Sequence, residues 1–71
     1  MTAGELIEFA AGVMKVSPDS LTLDTAYGSI PEWDSVCHLR LVMEAEKRFG
    51  VTYPLERIPA MLTLRDFLGE F

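Results

Sequence analysis

Apolar residues recur at helical intervals in three parts of this chain and lose that rhythm in between. Leu6, Ile7, Phe9, Ala10, Val13 and Met14 make the first stripe, and Thr2 followed by Glu5 has capping-box spacing, so a helix is predicted from the start of the chain. Gly4 and Gly12 each weaken it by about 1 kcal/mol relative to alanine, which leaves burial of the stripe to supply its stability. Pro18 pushes Ser17 away from helical dihedrals and is expected to end the helix. From Ser17 to Trp33 the pattern lapses into SPDSLTLDTAYGSIPEW, a long loop by its Pro, Gly, Ser and Asp content. Leu21, Leu23, Tyr27, Ile30 and Trp33 are the expected anchors that hold it to the core.

A second helix is predicted to begin near Asp34 or Ser35 and to run to Phe49, with Gly50 as its C-cap and Lys47 and Arg48 suited to its negative end. At about 100° per residue Leu39, Val42, Ala45 and Phe49 share one face, with Leu41 at its edge, and these are read as core. Glu46 falls near the same face and is expected to reach solvent from its edge. Val36, Arg40, Met43 and Lys47 lie on another line and are expected to form an exposed ridge. Tyr53-Pro54 opens a short segment, LERI, which Pro59 is expected to cut off after a turn or two. Thr63 and Asp66 mark the start of a last helix, with Leu64, Phe67, Leu68 and Phe71 as its apolar face. Met1, Met14 and Met61 are read as core fillers, and Met43 as the methionine a partner could touch. The expected fold is all-α: a small four-helix bundle over residues 1–71, one domain, with three main helices, one short helix and a long first loop.

Size limits what such a chain can do. A domain of 71 residues buries only about 60% of its unfolded surface, so a housed catalytic cleft is not expected. Cys37 and His38 are its only cysteine and histidine, too few for a disulfide or a structural metal site. They are helix neighbours pointing about 100° apart, with no third group or oxyanion cradle in view, so a Cys-His nucleophile is not expected either. Cys37 is read as a small filler or surface thiol. His38 is read as a helix-surface or core-edge residue, with proximity to a phosphate at residue 35 as the sharper alternative. Lys and Arg number 6 against 11 Asp and Glu, a net charge of −5, which gives no electrostatic footprint for nucleic acid or anionic membrane. Glu5 and Glu8 stand where a secretory signal would be basic, and no run approaches the roughly 20 apolar residues of a membrane span. A soluble, cytoplasmic monomer is expected.

The candidate chemistry lies at the start of the second helix. Ser35 follows Asp34 at a helix N-terminus, where unpaired amides and the macrodipole favour an anion, so a phosphate esterified to Ser35 would be locally stabilised. The dipole contributes only about 0.3 to 1 kcal/mol, enough to position a modification and not to perform a reaction. By itself, a serine after an aspartate at this place is an ordinary N-cap.

Asp34-Ser35-Val36 and the amphipathic helix ending Lys47-Arg48-Phe49-Gly50-Val51 resemble the Asp-Ser-Leu motif and second helix of acyl carrier proteins. Val16-Ser17-Pro18 through Leu21-Thr22-Leu23-Asp24-Thr25 resembles that family's first loop, and Leu62-Thr63-Leu64-Arg65-Asp66 the start of its fourth helix. The resemblance spans nearly the whole chain. It implies that Ser35 carries covalent 4'-phosphopantetheine, whose thiol holds an acyl group as a thioester, and that Asp34 supports the modification by helping the modifying enzyme hold its metal ion. It implies a non-enzymatic carrier for fatty-acid, polyketide or other specialised biosynthesis. Its partners would be a phosphopantetheinyl transferase and acyl-loading, condensing or acyl-transfer enzymes, docking on Val36, Arg40, Met43 and Lys47. Leu39, Val42, Ile58, Met61 and Leu62 would line a shelter for the cargo, or be plain core.

Three departures from the family pattern carry weight. Glu32-Trp33-Asp34 lacks the glycine often found two residues before the aspartate, so the loop is expected to reach the serine in a different shape. In the second helix Arg40, Lys47 and Arg48 outweigh Glu44 and Glu46, where housekeeping fatty-acid carriers are strongly acidic. Complementary charge governs encounter and partner rejection, so dedicated enzymes are expected. There is no Gly-Gly-x-Ser signature of peptidyl carriers. The alternative reading is a helical protein-interaction domain in which Ser35 is only a cap.

Overall fold

Residues 1–68 are described in a computed structural model of the chain. Helix α1 spans Ala3–Met14, α2 spans Ser35–Phe49 and α3 spans Arg65–Leu68, with 3₁₀ helices at Pro18–Ser20 and Leu55–Ala60. The fold is small and all-α: among the described residues no strand forms, and α1 packs against both α2 and α3. The Cα radius of gyration, 10.8 Å, matches the roughly 11 Å of a close-packed chain of this length, so the long first loop lies on the body of the protein. No helix of the described residues is long and apolar enough to cross a membrane.

The capping box of α1 forms as its spacing predicts. Thr2 Oγ1 accepts the Glu5 amide at 3.1 Å and Glu5 Oε1 accepts the Thr2 amide at 2.8 Å. These bonds hold the Glu5 carboxyl below its ordinary pKa. The helix stops earlier than Pro18 requires, at Met14. Lys15 turns left-handed at φ 61°, and the Lys15 and Val16 amides close back on the Ala11 carbonyl, a Schellman-type end. Pro18 instead opens the first 3₁₀ turn, where Ser17 caps Asp19.

Two of the expected loop anchors, Leu21 and Trp33, are buried, and Leu23 and Ile30 are half-buried against them. Tyr27 is not: it is 38% exposed and lays its ring edge-on to Trp33 and His38. The loop is also tied by backbone. Tyr27 donates to the Leu62 carbonyl at 2.7 Å, Leu64 to Thr25 at 3.2 Å and Arg65 to Leu23 at 2.8 Å, around an Ala26–Thr63 bridge. The exposed Arg65–Asp24 ion pair, 3.0 Å, adds no more than about 1 kcal/mol.

Helix α2 keeps its predicted bounds but not its predicted rotation. His38, Leu41, Val42 and Ala45 face the core, Phe49 is half-buried against Phe9, and Leu39 is 56% exposed. The buried face is therefore centred between His38 and Ala45, flanked by Leu41 and Val42, with Leu39 about 100° off it. Glu46 does more than reach solvent: its Oε2 accepts the Tyr53 amide at 2.8 Å and fastens the following segment to α2. That segment stays as short as expected, a six-residue 3₁₀ helix of about two turns that ends one residue past Pro59. Pro59 fits inside it because 3₁₀ dihedrals suit the proline ring and i→i+3 bonding avoids the clash a longer α-helix would meet.

The last helix begins where Thr63 and Asp66 predict. Asp66 Oδ2 accepts from the Leu62 and Thr63 amides and from the Thr63 hydroxyl, all near 3.0 to 3.1 Å. Leu64 and Phe67 are buried, and Phe71 lies outside the described residues. Of the three expected main helices, α1 and α2 are long, while the described part of the last is one turn. Met14 and Met61 fill the core as expected, whereas Met1 is 40% exposed.

Two outcomes follow from these contacts. Glycine fits the left-handed Lys15 position without a Cβ conflict, so Lys15→Gly should raise stability by about 1 kcal/mol in urea unfolding. Tyr53, buried with its hydroxyl donating to the Phe67 carbonyl at 2.9 Å, has its phenol pKa pushed from 10.0 up to about 12 by burial and by the Glu46 charge. The folded state thus keeps a proton that the unfolded chain releases between those values. The stability this represents is complete below pH 10 and is lost as pH rises towards 12. The urea midpoint of the wild type should drop more between about pH 9 and pH 11 than that of Tyr53→Phe.

Candidate functional site

Asp34, and not Ser35, caps α2. Its backbone is extended, its Oδ1 accepts the Cys37 amide at 2.9 Å, and its carbonyl accepts the His38 amide at 2.8 Å. Ser35 is therefore the first residue inside the helix. Its side chain is exposed, and among the described residues no hydrogen bond engages its hydroxyl. A serine serving only as a cap would accept the amide that Asp34 takes. The hydroxyl is left uncommitted at the positive end of a fifteen-residue helix.

Beside it opens a groove of about 330 Å³ lined by Tyr27, Ser35, His38, Leu39, Ile58, Pro59 and Leu62. Leu39, Ile58 and Leu62 of the expected lining are there. Val42 and Met61 are not: they are 3% and 1% exposed and belong to the closed core. Tyr27 and Pro59, which periodicity did not single out, complete the wall. Leu39 is available to the groove because α2 is rotated to bury His38 in its place.

One lining residue, His38, is hydrogen-bonded to a second ring that lies wholly in the core. Trp33 is fully buried, and its indole N–H donates to His38 Nδ1 at 3.1 Å. Indole nitrogen can only donate, so Nδ1 is the acceptor and the imidazole proton sits on Nε2, which donates to the Ile58 carbonyl at 3.0 Å. Beside the aromatic donors of Trp33 and Tyr53, His38 is the buried polar side chain among the described residues, and no buried side-chain nitrogen or oxygen there lacks a partner. It touches neither Ser35 through a hydrogen bond nor the solvent-facing side of α2, so it is a core residue. Its signal in the sequence was Trp33 itself: an indole about to be buried needs an acceptor within reach.

The ridge is placed as its spacing predicts. Val36, Arg40, Met43 and Lys47 are all exposed on the side of α2 away from the core, Val36 and Met43 at 67% and 62%. Because Glu46 is turned to Tyr53, the outward charges of α2 are Glu44 against Arg40, Lys47 and Arg48. A larger hollow, about 630 Å³, lies between α1 and α2 with Glu8, Arg40, Glu44, Lys47 and Arg48 on its rim, and it does not reach Ser35. Cys37 is half-buried; burial, then the Asp34 charge, pushes its thiol pKa up, which keeps it protonated and unreactive at neutral pH. Among the described residues no three His, Cys, Asp or Glu side chains converge to hold a metal ion.

Compared with known proteins, the chain matches no family model and no curated protein sequence.

The ring pair makes a measurable claim. Nitrogen-15 spectra of His38 should show the neutral tautomer protonated at Nε2. His38→Ala, which orphans the Trp33 donor and the Ile58 acceptor, should cost about 2 to 6 kcal/mol, twice the cost of one unpaired buried group.

Proposed function

We propose that this chain is a carrier and not a catalyst: a small acyl-carrier-like domain that holds 4'-phosphopantetheine on Ser35 and presents an acyl group to successive partner enzymes. The observation that carries the reading is the division of labour at the head of α2, where Asp34 takes the capping bond and Ser35 keeps a free, exposed hydroxyl. A phosphodiester there gains from the helix's positive end, and the groove beside it offers apolar walls to whatever follows the phosphate. When bound, the group supplies the thiol that carries the acyl chain as a thioester. The chain's own residues supply the handle, the address and the limits of reach.

Attachment is a phosphoryl transfer. The Ser35 oxygen attacks the phosphorus bearing the pantetheine arm in coenzyme A, a new O–P bond forms, the pyrophosphate bond breaks with adenosine bisphosphate leaving, and the serine proton passes to base. Val36, Arg40, Met43 and Lys47, exposed next to Ser35 and below it, form the surface on which a partner would dock. A flexible arm gives the cargo an effective concentration on the order of millimolar at a docked active site, so weak docking suffices. The basic excess along this face suits partners with acidic docking surfaces.

A second reading, a helical interaction domain, draws on the same exposed Val36, Leu39, Met43 and Leu62. It no longer has Ser35 as its cap, since that task belongs to Asp34.

Incubation with a phosphopantetheinyl transferase and coenzyme A should add one arm by intact mass to the wild type and none to Ser35→Ala; an unmodified wild type defeats the carrier reading. Asp34 can be divided into its two roles. Asp34→Ala should lose about 1 kcal/mol of stability with the cap and be modified slowly. Asp34→Asn, which can still cap, should hold its stability and yet be modified slowly, because only the carboxylate can help the transferase hold its metal. Modification of both variants at the wild-type rate removes Asp34 from the reaction.

A further inference from the structure

The groove beside Ser35 adjoins the core, and what separates the two is specific. Behind its walls lie Trp33, Met61, Leu64 and Phe67, none more than 1% exposed. Of the residues that line the groove His38 is the buried one, stacked on Trp33 at 6.0 Å and bonded from α2 to the Ile58 carbonyl of the Leu55–Ala60 helix, so it ties together the two elements that flank the groove. Apolar cargo could pass only by parting these elements. That would leave an indole donor and a backbone carbonyl unpaired in a space from which the cargo excludes water, whereas a gap between aliphatic side chains has no such penalty. Tyr27, edge-on to both rings at 5.0 Å from His38 and 6.1 Å from Trp33, backs the pair from the loop side. The open space that remains, about 330 Å³, is at the small end for ligand pockets, and the arm itself must share it.

We propose that the Trp33–His38–Ile58 linkage closes the interior of this protein to its cargo, so that the groove shelters only short acyl groups and a long saturated chain stays on the surface. This rests on the carrier reading and assigns it a cargo class. His38 is a specificity-determining residue in this scheme and touches no reacting atom.

The test loads the protein enzymatically from butanoyl-, octanoyl- and tetradecanoyl-coenzyme A, checks each product by intact mass, and follows side-chain methyl signals and the Trp33 indole N–H by NMR. The expected result is that butanoyl already moves Leu39, Ile58 and Leu62, that tetradecanoyl moves them no further, and that Met61, Leu64 and the Trp33 indole stay still throughout. Hydroxylamine should cleave the long thioester at least as fast as the short one. In His38→Ala the tetradecanoyl chain should move Met61 and Trp33, and in His38→Gln, which can accept from Trp33 and donate to Ile58, it should not. Core signals that shift progressively with chain length in the wild type overturn the proposal while leaving the carrier reading intact. A wild-type protein that takes up no arm overturns both. A folded, loaded His38→Ala whose core signals stay still overturns the role given to His38, and if that variant does not fold, the wild-type chain-length series decides.

Discussion

The packing of this protein depends on satisfying one indole N–H. Trp33 is the largest of the fully buried side chains, and it enters the core from a loop, where no helix supplies its N–H with a partner. An unpaired buried donor costs about 1 to 3 kcal/mol, a large share of what a domain this small can spare. His38, one turn into α2, meets the demand with Nδ1 and is thereby left with a proton on Nε2 that must go to an acceptor in turn. The Ile58 carbonyl takes it. Two hydrogen bonds thus join the end of the long loop, the second helix and the 3₁₀ segment, and the rotation of α2 follows from them. With His38 inward, the buried face is centred between His38 and Ala45, flanked by Leu41 and Val42, and Leu39 is turned out beside Ser35.

The groove is a consequence of that rotation. Its walls come from three places in the sequence: Tyr27 on the loop, Ser35 and Leu39 on α2, and Ile58, Pro59 and Leu62 after it. They are brought into register by the His38 linkage on one side and by the short backbone ladder between residues 23–27 and 62–65 on the other. Glu46 contributes in the same way from lower on α2, where its bond to Tyr53 sets the direction in which the chain leaves the helix. Each of these is a polar contact, which a ranking of residues by hydrophobicity does not register.

The head of α2 shows how neighbouring residues with similar chemistry take different tasks. Aspartate and serine are both good caps, and two in a row leave the choice to the backbone. Asp34 has the extended conformation from which its carboxylate reaches the Cys37 amide. Ser35, already helical, has no amide to reach and points its hydroxyl outward. The exposed ridge below it, Val36 and Met43 with Arg40 and Lys47, lies opposite the buried face, so the side of α2 shown to solvent and the side used for packing do not compete.

Local sequence determined where the α-helices begin and where α2 ends, because caps and breakers act over a few residues: the Thr2–Glu5 box, Asp34, Gly50 at φ 66° and the Thr63–Asp66 start need no distant contact. It also determined the exposure of the ridge, since helical periodicity separates the two sides of α2 whichever way the helix leans. Tertiary structure decided the rest. Lys15 ends α1 before Pro18 and Val16 packs against the core, Pro59 is absorbed into a 3₁₀ helix, and the buried face of α2 includes a histidine in place of Leu39. Periodicity ranks residues by their own hydrophobicity, whereas the fold ranks them by the hydrogen bonds their neighbours must make once water is gone.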